Sequence, residues 1–257
     1  MRLIRIIPNL LVNNKKLVKG KNFTNHQYVG DIFNTIKLFT EKKAHEILLL
    51  DKSHEREECF IFTNLLEKFA TECFVPITVG GGIRDINDVS RIINSGVEKI
   101  CLPSNSFLKK NFINSIAKKF GSQSIMISID LRIIDNKYTI FNKNGSNLSN
   151  LNYINLIKEL ENEGCGEILL TSIDREGTKT GYDIDLYKSV EDIVKIPIIA
   201  NGGVGKNEHF DELFSSTNLS AASAGSQFVF FGKRNAVLIN YPDEEYLFNL
   251  QSKYEIN

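Results

Sequence analysis

The chain has 257 residues, 42% of them apolar and 24% charged, with 31 basic residues balanced by 31 acidic ones. That composition is globular, and the length allows one large α/β barrel or two small domains. A balanced charge without a long basic run gives no footprint for nucleic acid or a membrane surface, and no run nears the roughly 18 apolar residues of a membrane span.

The N-terminus, "MRLIRIIPNLL", is interrupted too early by Pro and Asn to be the apolar region of a signal peptide. Its first apolar run, 2–7, begins a series: 46–50, 76–79, 99–102, 124–129, 167–170, 196–200 and 219–225. These runs are apolar without alternation, as suits strands buried on both faces of a parallel sheet. The segments between them read as helices. Ile86, Val89 and Ile93 fall on one face behind Asp85, a good N-cap, and Ile154, Ile157 and Leu160 form a stripe that ends at Gly164. Eight such units in this length predict a single (β/α)8 barrel spanning 1–257, with an open doubly wound sheet as the alternative. The stretch 132–145, with its Asp-Asn-Lys turn, predicts a hairpin lid after the fifth strand.

Two segments repeat at one offset. "EILLLD" at Glu46 returns as "EILLTSID" at Glu167, and "VPITVGGGI" around Pro76 returns as "IPIIANGGV" around Pro197, each 121 residues later. A shared offset points to two duplicated half-barrels. The cysteines, Cys59, Cys73, Cys101 and Cys165, are scattered without metal-ligand spacing. They suggest neither a disulfide framework nor a metal site, and a reducing cytoplasmic location is expected.

In such barrels chemistry sits at the C-terminal ends of the strands. Glycines follow strand three (Gly80, Gly81, Gly82), strand seven (Gly202, Gly203) and strand eight (Gly225, before Ser226). Such turns let backbone N–H groups approach an anion, although tight strand-to-helix turns need glycine too. Their symmetric placement suggests a ligand with a phosphate at each end. Asp130 ends strand five and can work as acid or base once burial raises its pKa. Asp51 and Asp174 end strands two and six in the same manner. Lys19 is expected in a mobile first loop, over a phosphate. At the opposite end Arg5, Glu46, Lys99 and Glu167 each open a strand. Any one of them can simply be meeting water, but two cations and two anions make a self-neutralising ring across the floor a natural hypothesis.

The segments "LVKG" (17–20), "TVGGGIRD" (78–85), "FGSQ" (120–123), "EILLTSIDREGTKTGYD" (167–183) and "IIANGGVGKNEHF" (198–210) resemble the HisF family, the cyclase subunit of imidazole glycerol phosphate synthase. The resemblance covers nearly the whole chain. It implies a heterodimer with a HisH-like glutaminase docked at the floor. Ammonia then passes a gate matching Arg5, Glu46, Lys99 and Glu167. At the top it meets a nucleotide with a phosphate at each end, and two aspartates give imidazole glycerol phosphate and aminoimidazole carboxamide ribotide in histidine biosynthesis. No cofactor or metal is implied. The second catalytic aspartate matches Asp130, one phosphate site matches Gly82, and the other matches Gly177, Gly203, Gly225 and Ser226.

The departures lie at the top. The family's first catalytic aspartate falls on Leu11, and losing one member of an acid-base pair costs about 10²–10⁴-fold in rate. An Asn-Thr pair at one phosphate reads Pro103-Ser104, and proline brings no N–H. The Asp of a family motif is Glu176. Two functions follow: a cyclase, or an ammonia-supplying subunit such as the HisF-like branch found with sugar amidation in surface polysaccharide synthesis. A sister isomerase barrel needs the same acid-base pair and is disfavoured equally by Leu11.

Overall fold

The computed structural model describes residues 3–53, 59, 65–141, 151–232 and 234–254. Eight parallel strands form the barrel: β1 (Arg5–Asn13), β2 (Ile47–Asp51), β3 (Ile77–Gly80), β4 (Lys99–Pro103), β5 (Ile125–Ile134), β6 (Glu167–Ser172), β7 (Ile198–Asn201) and β8 (Ala221–Ala224). Each pairs with the next, and β8 pairs with β1 from Arg5↔Ala221 to Pro8↔Ala224, which closes the ring. The predicted (β/α)8 barrel is therefore the fold.

The strands are apolar on both faces because they separate two cores. Ile7, Leu48, Cys101, Met126, Leu169, Ile199 and Ala221 fill the lumen as one layer, while a much larger cluster lies between strands and helices. This is the layered filling of a packed barrel. The helix Ile86–Asn94 starts where expected: the Asp85 side chain accepts from the N–H groups of Asn87 and Asp88, and Asp88 reaches back in a capping box. The helix Tyr153–Glu163 ends on Gly164, whose φ of 96° is the left-handed C-cap that glycine tolerates.

The internal repeat extends to atomic detail. The Ile47 N–H donates to the Pro76 carbonyl, and 121 residues on the Ile168 N–H donates to that of Pro197. A Cβ on Gly81 would strike the Asp51 carbonyl, and one on Gly202 that of Ser172, again 121 residues on. Asp88 accepts from the Arg84 N–H, and His209 from the Gly205 N–H, so different side chains fill one structural role.

The first loop is not a loop. The segments Lys16–Lys21 and Thr24–Gly30 are antiparallel strands that extend the sheet from β1. The turn residues explain this. Asn14 and Lys15, then Asn22 and Phe23, take paired left-handed conformations with φ between 49° and 64°, the geometry of tight hairpin turns. Lys19 thus sits on a strand rather than on a mobile loop. The hairpin predicted after the fifth strand forms between β5 and Lys137–Phe141, turning at left-handed Asp135 and Asn136. The rest of that prediction, 142–145, lies outside the described residues. No described helix is long and apolar enough to cross a membrane.

Candidate active site and barrel floor

Residue parity along the strands sorts side chains into levels inside the barrel. At the lowest, the Arg5 guanidinium bridges Glu46 at 3.0 Å and Glu167 at 2.8 Å, and the Lys99 ammonium bridges Glu46 at 3.3 Å and Glu167 at 2.6 Å. Thr78 Oγ1 donates to Glu46 Oε1 at 2.6 Å. The four charges spaced across the sequence therefore form a closed ring. Their side chains are only 5–18% exposed, so the pairs are poorly screened. The apolar layer of Ile7 and its neighbours lies directly above.

Over that layer comes a polar one. Asn9 Nδ2 donates to Asn201 Oδ1 at 3.3 Å, and Asn201 Nδ2 donates to Thr171 Oγ1 at 3.0 Å. This layer floors a cavity of 440 Å³ at the C-terminal ends of the strands, lined also by Leu11, Leu50, Asp51, Gly82, Ser104 and Asp130. Ser128 Oγ donates to an Asp130 carboxylate oxygen at 3.2 Å. Burial is the largest influence on Asp130 and raises its pKa to about 6, while the neighbouring hydroxyls of Thr171 and Ser128 hold it down. That value puts the group within reach of both protonation states near neutrality. Asp51 lines the same cavity and accepts from the Ser53 N–H and hydroxyl. Asp174 does not join them: it accepts from the Ile133 N–H and pairs with Arg132, fastening the hairpin.

Strand register identifies the counterpart of Asp130. In the second half-barrel Asp130 stands opposite Thr171; in the first, Leu11 stands opposite Leu50, and Leu50 precedes Thr171 by the repeat offset of 121. Asn9 likewise stands opposite Leu48 where Ser128 stands opposite Leu169. Leu11 is thus the symmetry mate of Asp130, and one of two equivalent positions at the cavity carries a carboxylate.

A smaller depression adjoins the cavity and is lined by Gly177, Gly203, Gly225 and Ser226. Lys19, Glu176 and Asn201 border both spaces. Gly203 has φ 107° and packs on the Gly181 carbonyl, so only glycine fits. Gly225 has ordinary φ; a side chain there would collide with the Lys19 amine. Lys19 Nζ pairs with Glu176 Oε1 at 2.5 Å, so the cation is held at the edge of the glycine turns. His26 also borders the cavity, its pKa lowered by burial and by the Lys52 ammonium. Pro103 ends β4 and precedes the short 3-10 turn Ser104–Leu108; Ser104 is buried.

Sequence reasoning did not single out Asn201, Thr171 and Ser128. Each lies two residues along its strand from a residue of the apolar lumen layer (Ile199, Leu169 and Met126), and that parity was a readable signal.

Fold and site together define a two-fold repeated (β/α)8 barrel with a ring of paired charges at its floor and a cavity at the C-terminal ends of its strands. The family model for histidine biosynthesis protein matches residues 5–234, and the chain belongs to that family. A Saccharolobus solfataricus protein named imidazole glycerol phosphate synthase subunit HisF is 40% identical over 87% of this chain and 89% of its own length. A Leptospira borgpetersenii protein, provisionally given the same subunit name, is 39% identical over 95% of this chain and 98% of its own. A Pseudomonas aeruginosa relative, provisionally named as subunit hisF2, is 40% identical over 93% and 96%.

Proposed function

We propose that the chain is the barrel subunit of a two-protein glutamine amidotransferase of the imidazole glycerol phosphate synthase type. A HisH-like glutaminase docks at the floor, and ammonia enters past Arg5, Glu46, Lys99 and Glu167. It rises through the apolar layer and meets a phosphate-bearing acceptor in the cavity above Asn9 and Asn201. The observation that carries this reading is the closed charged ring below an apolar layer, with the Asp130 cavity on the other side of that layer. An apolar layer favours neutral ammonia over ammonium, because an unpaired charge there loses its hydration. Lys19 and the turns at Gly82, Ser104, Gly177, Gly203, Gly225 and Ser226 supply the cationic and N–H groups that phosphates need.

The parent reaction is closure of the imidazole ring in histidine biosynthesis. Leu11 at the symmetry position of Asp130 supports a second reading, in which the barrel passes ammonia to another acceptor, as in sugar amidation for surface polysaccharide, without cyclase turnover of its own. Turnover of the family's nucleotide with saturating ammonium salt separates the two, because free ammonia removes the need for the partner. Activity of the unmodified protein establishes a one-carboxylate cyclase. Activity only in Leu11→Asp means that the substrate site is intact and the acid-base pair is what was lost. Silence in both leaves the conduit reading.

A further inference from the structure

The glycine turns of the second half-barrel already have an anion beside them. Lys19 Nζ lies against the backbone of Gly225, where a Cβ would come within 2.5 Å of it. Its partner there is the Glu176 carboxylate, and the two side chains are 11% and 8% exposed. With both in place, the depression lined by Gly177, Gly203, Gly225 and Ser226 has a volume of 10 Å³. That is room for about one water molecule and too little for a phosphate. The backbone around the pair is held. The Asn22 N–H donates to the Glu176 carbonyl at 3.0 Å, and Asn22 Nδ2 donates to the Asp174 carbonyl at 3.3 Å. Gly177 packs so closely on the Gly20 carbonyl that a Cβ would come within 2.6 Å of it. What can yield is the Glu176 side chain, which also borders the 440 Å³ cavity and has space to turn into it.

We propose that Glu176 is an internal competitor for the acceptor's phosphate: its carboxylate holds Lys19, and a phosphate binds at the glycine turns by taking Lys19 from it. The inference rests on the phosphate-bearing acceptor proposed above and adds what that phosphate must be. A nearly buried cation is costly to leave unpaired, so one anion has to replace another. A carboxylate or a phosphodiester offers Lys19 a single charge, no more than Glu176 does, and gains nothing by the exchange. A terminal phosphate monoester carries close to two charges at pH 7 and three acceptor oxygens, so it prevails over Glu176 and can also bond the N–H groups of the turns. Glu176 thereby selects terminal phosphate monoesters. The other carboxylates at the cavity are engaged elsewhere, Asp51 by Ser53 and Asp130 by Ser128, and Lys52 faces His26.

The test is inorganic phosphate binding to the purified full chain, read by calorimetry and by the side-chain carboxyl carbon resonance of Glu176. Phosphate moves that resonance in the unmodified protein. Glu176→Gln binds phosphate about tenfold more tightly, because no ion pair has to be broken first. In a Lys19→Met background the same glutamine substitution gains less than about threefold, since no cation is left to release. Dimethyl phosphate, with one charge, binds measurably only in Glu176→Gln.

Three results overturn the inference and leave the phosphate reading standing. One is a Glu176 resonance that stays put while phosphate binds. Another is a glutamine gain as large without Lys19 as with it, which would mean simple charge repulsion. The third is equal binding of dimethyl phosphate and phosphate by the unmodified protein. Phosphate binding in none of these proteins overturns the phosphate reading and the inference with it. Should Glu176→Gln fail to fold, Glu176→Ala must show the same gain.

Discussion

Replacing Lys99 by Met removes one cation from the floor ring and both of its bridges, at 3.3 Å to Glu46 and 2.6 Å to Glu167. Neither carboxylate is orphaned. Glu46 keeps Arg5 and Thr78, and Glu167 keeps Arg5. The cost therefore falls below the roughly 3–5 kcal/mol that follows from leaving a buried charge alone. It exceeds the 0–1 kcal/mol or so of an exposed pair, because these side chains are nearly buried. About 2 kcal/mol is expected, which lowers a urea midpoint by about 0.7 M at a slope near 3 kcal/mol/M. Adding Glu167→Gln restores neutrality, so the double variant should lose about 1 kcal/mol less than the sum of the singles. Additive single costs below about 0.5 kcal/mol would show a solvated rim instead of a sealed ring, and the floor would lose its claim to be a gate. If the ring does gate ammonia, Lys99→Met also weakens transfer from glutamine while leaving the response to free ammonium salt unchanged.

Asp130 carries a pH signature. Its folded pKa of about 6 lies above the ordinary carboxylate value of 3.8, so the folded state binds the extra proton and its contribution to stability is lost as pH rises from about 4 through 6. Asp130→Asn removes that dependence. The variant should gain on the unmodified protein by up to about 3 kcal/mol at pH 8, and the gain should vanish below pH 4, as read from urea unfolding at several pH values. Gly203→Ala forces a side chain into φ 107° against the Gly181 carbonyl. We expect about 1–3 kcal/mol of destabilisation, and weaker inorganic phosphate binding by calorimetry, whereas alanine at exposed, ordinary-φ Ser122 should do neither.

Much of this molecule is written locally. The apolar runs without alternation, the glycines after strands three and seven, the Asp85 cap and the Gly164 stop each depend on a few neighbouring residues, and each is found where its sequence places it. The 121-residue echo required only comparison of the chain with itself. The two hairpins from Asn13 to Gly30 were misread because the left-handed signal at Asn14-Lys15 and Asn22-Phe23 is carried by Asn with an ordinary residue, without the glycine that marks such turns. What only the tertiary structure decided is who meets whom across the lumen. Parity along one strand tells which side chains face inward, but not the level at which they meet side chains of other strands. That level is set by strand stagger and by closure of β8 on β1. Hence four scattered charges become one ring, Asp174 leaves the cavity while Asp130 stays, and Leu11 becomes the mate of Asp130. Asn9 meets Asn201, and Asn201 meets Thr171, across 192 and 30 residues of sequence. Sequence fixes the parts of such a barrel through short-range rules, and the encounters among them arise only when the sheet is bent into a closed cylinder of one stagger.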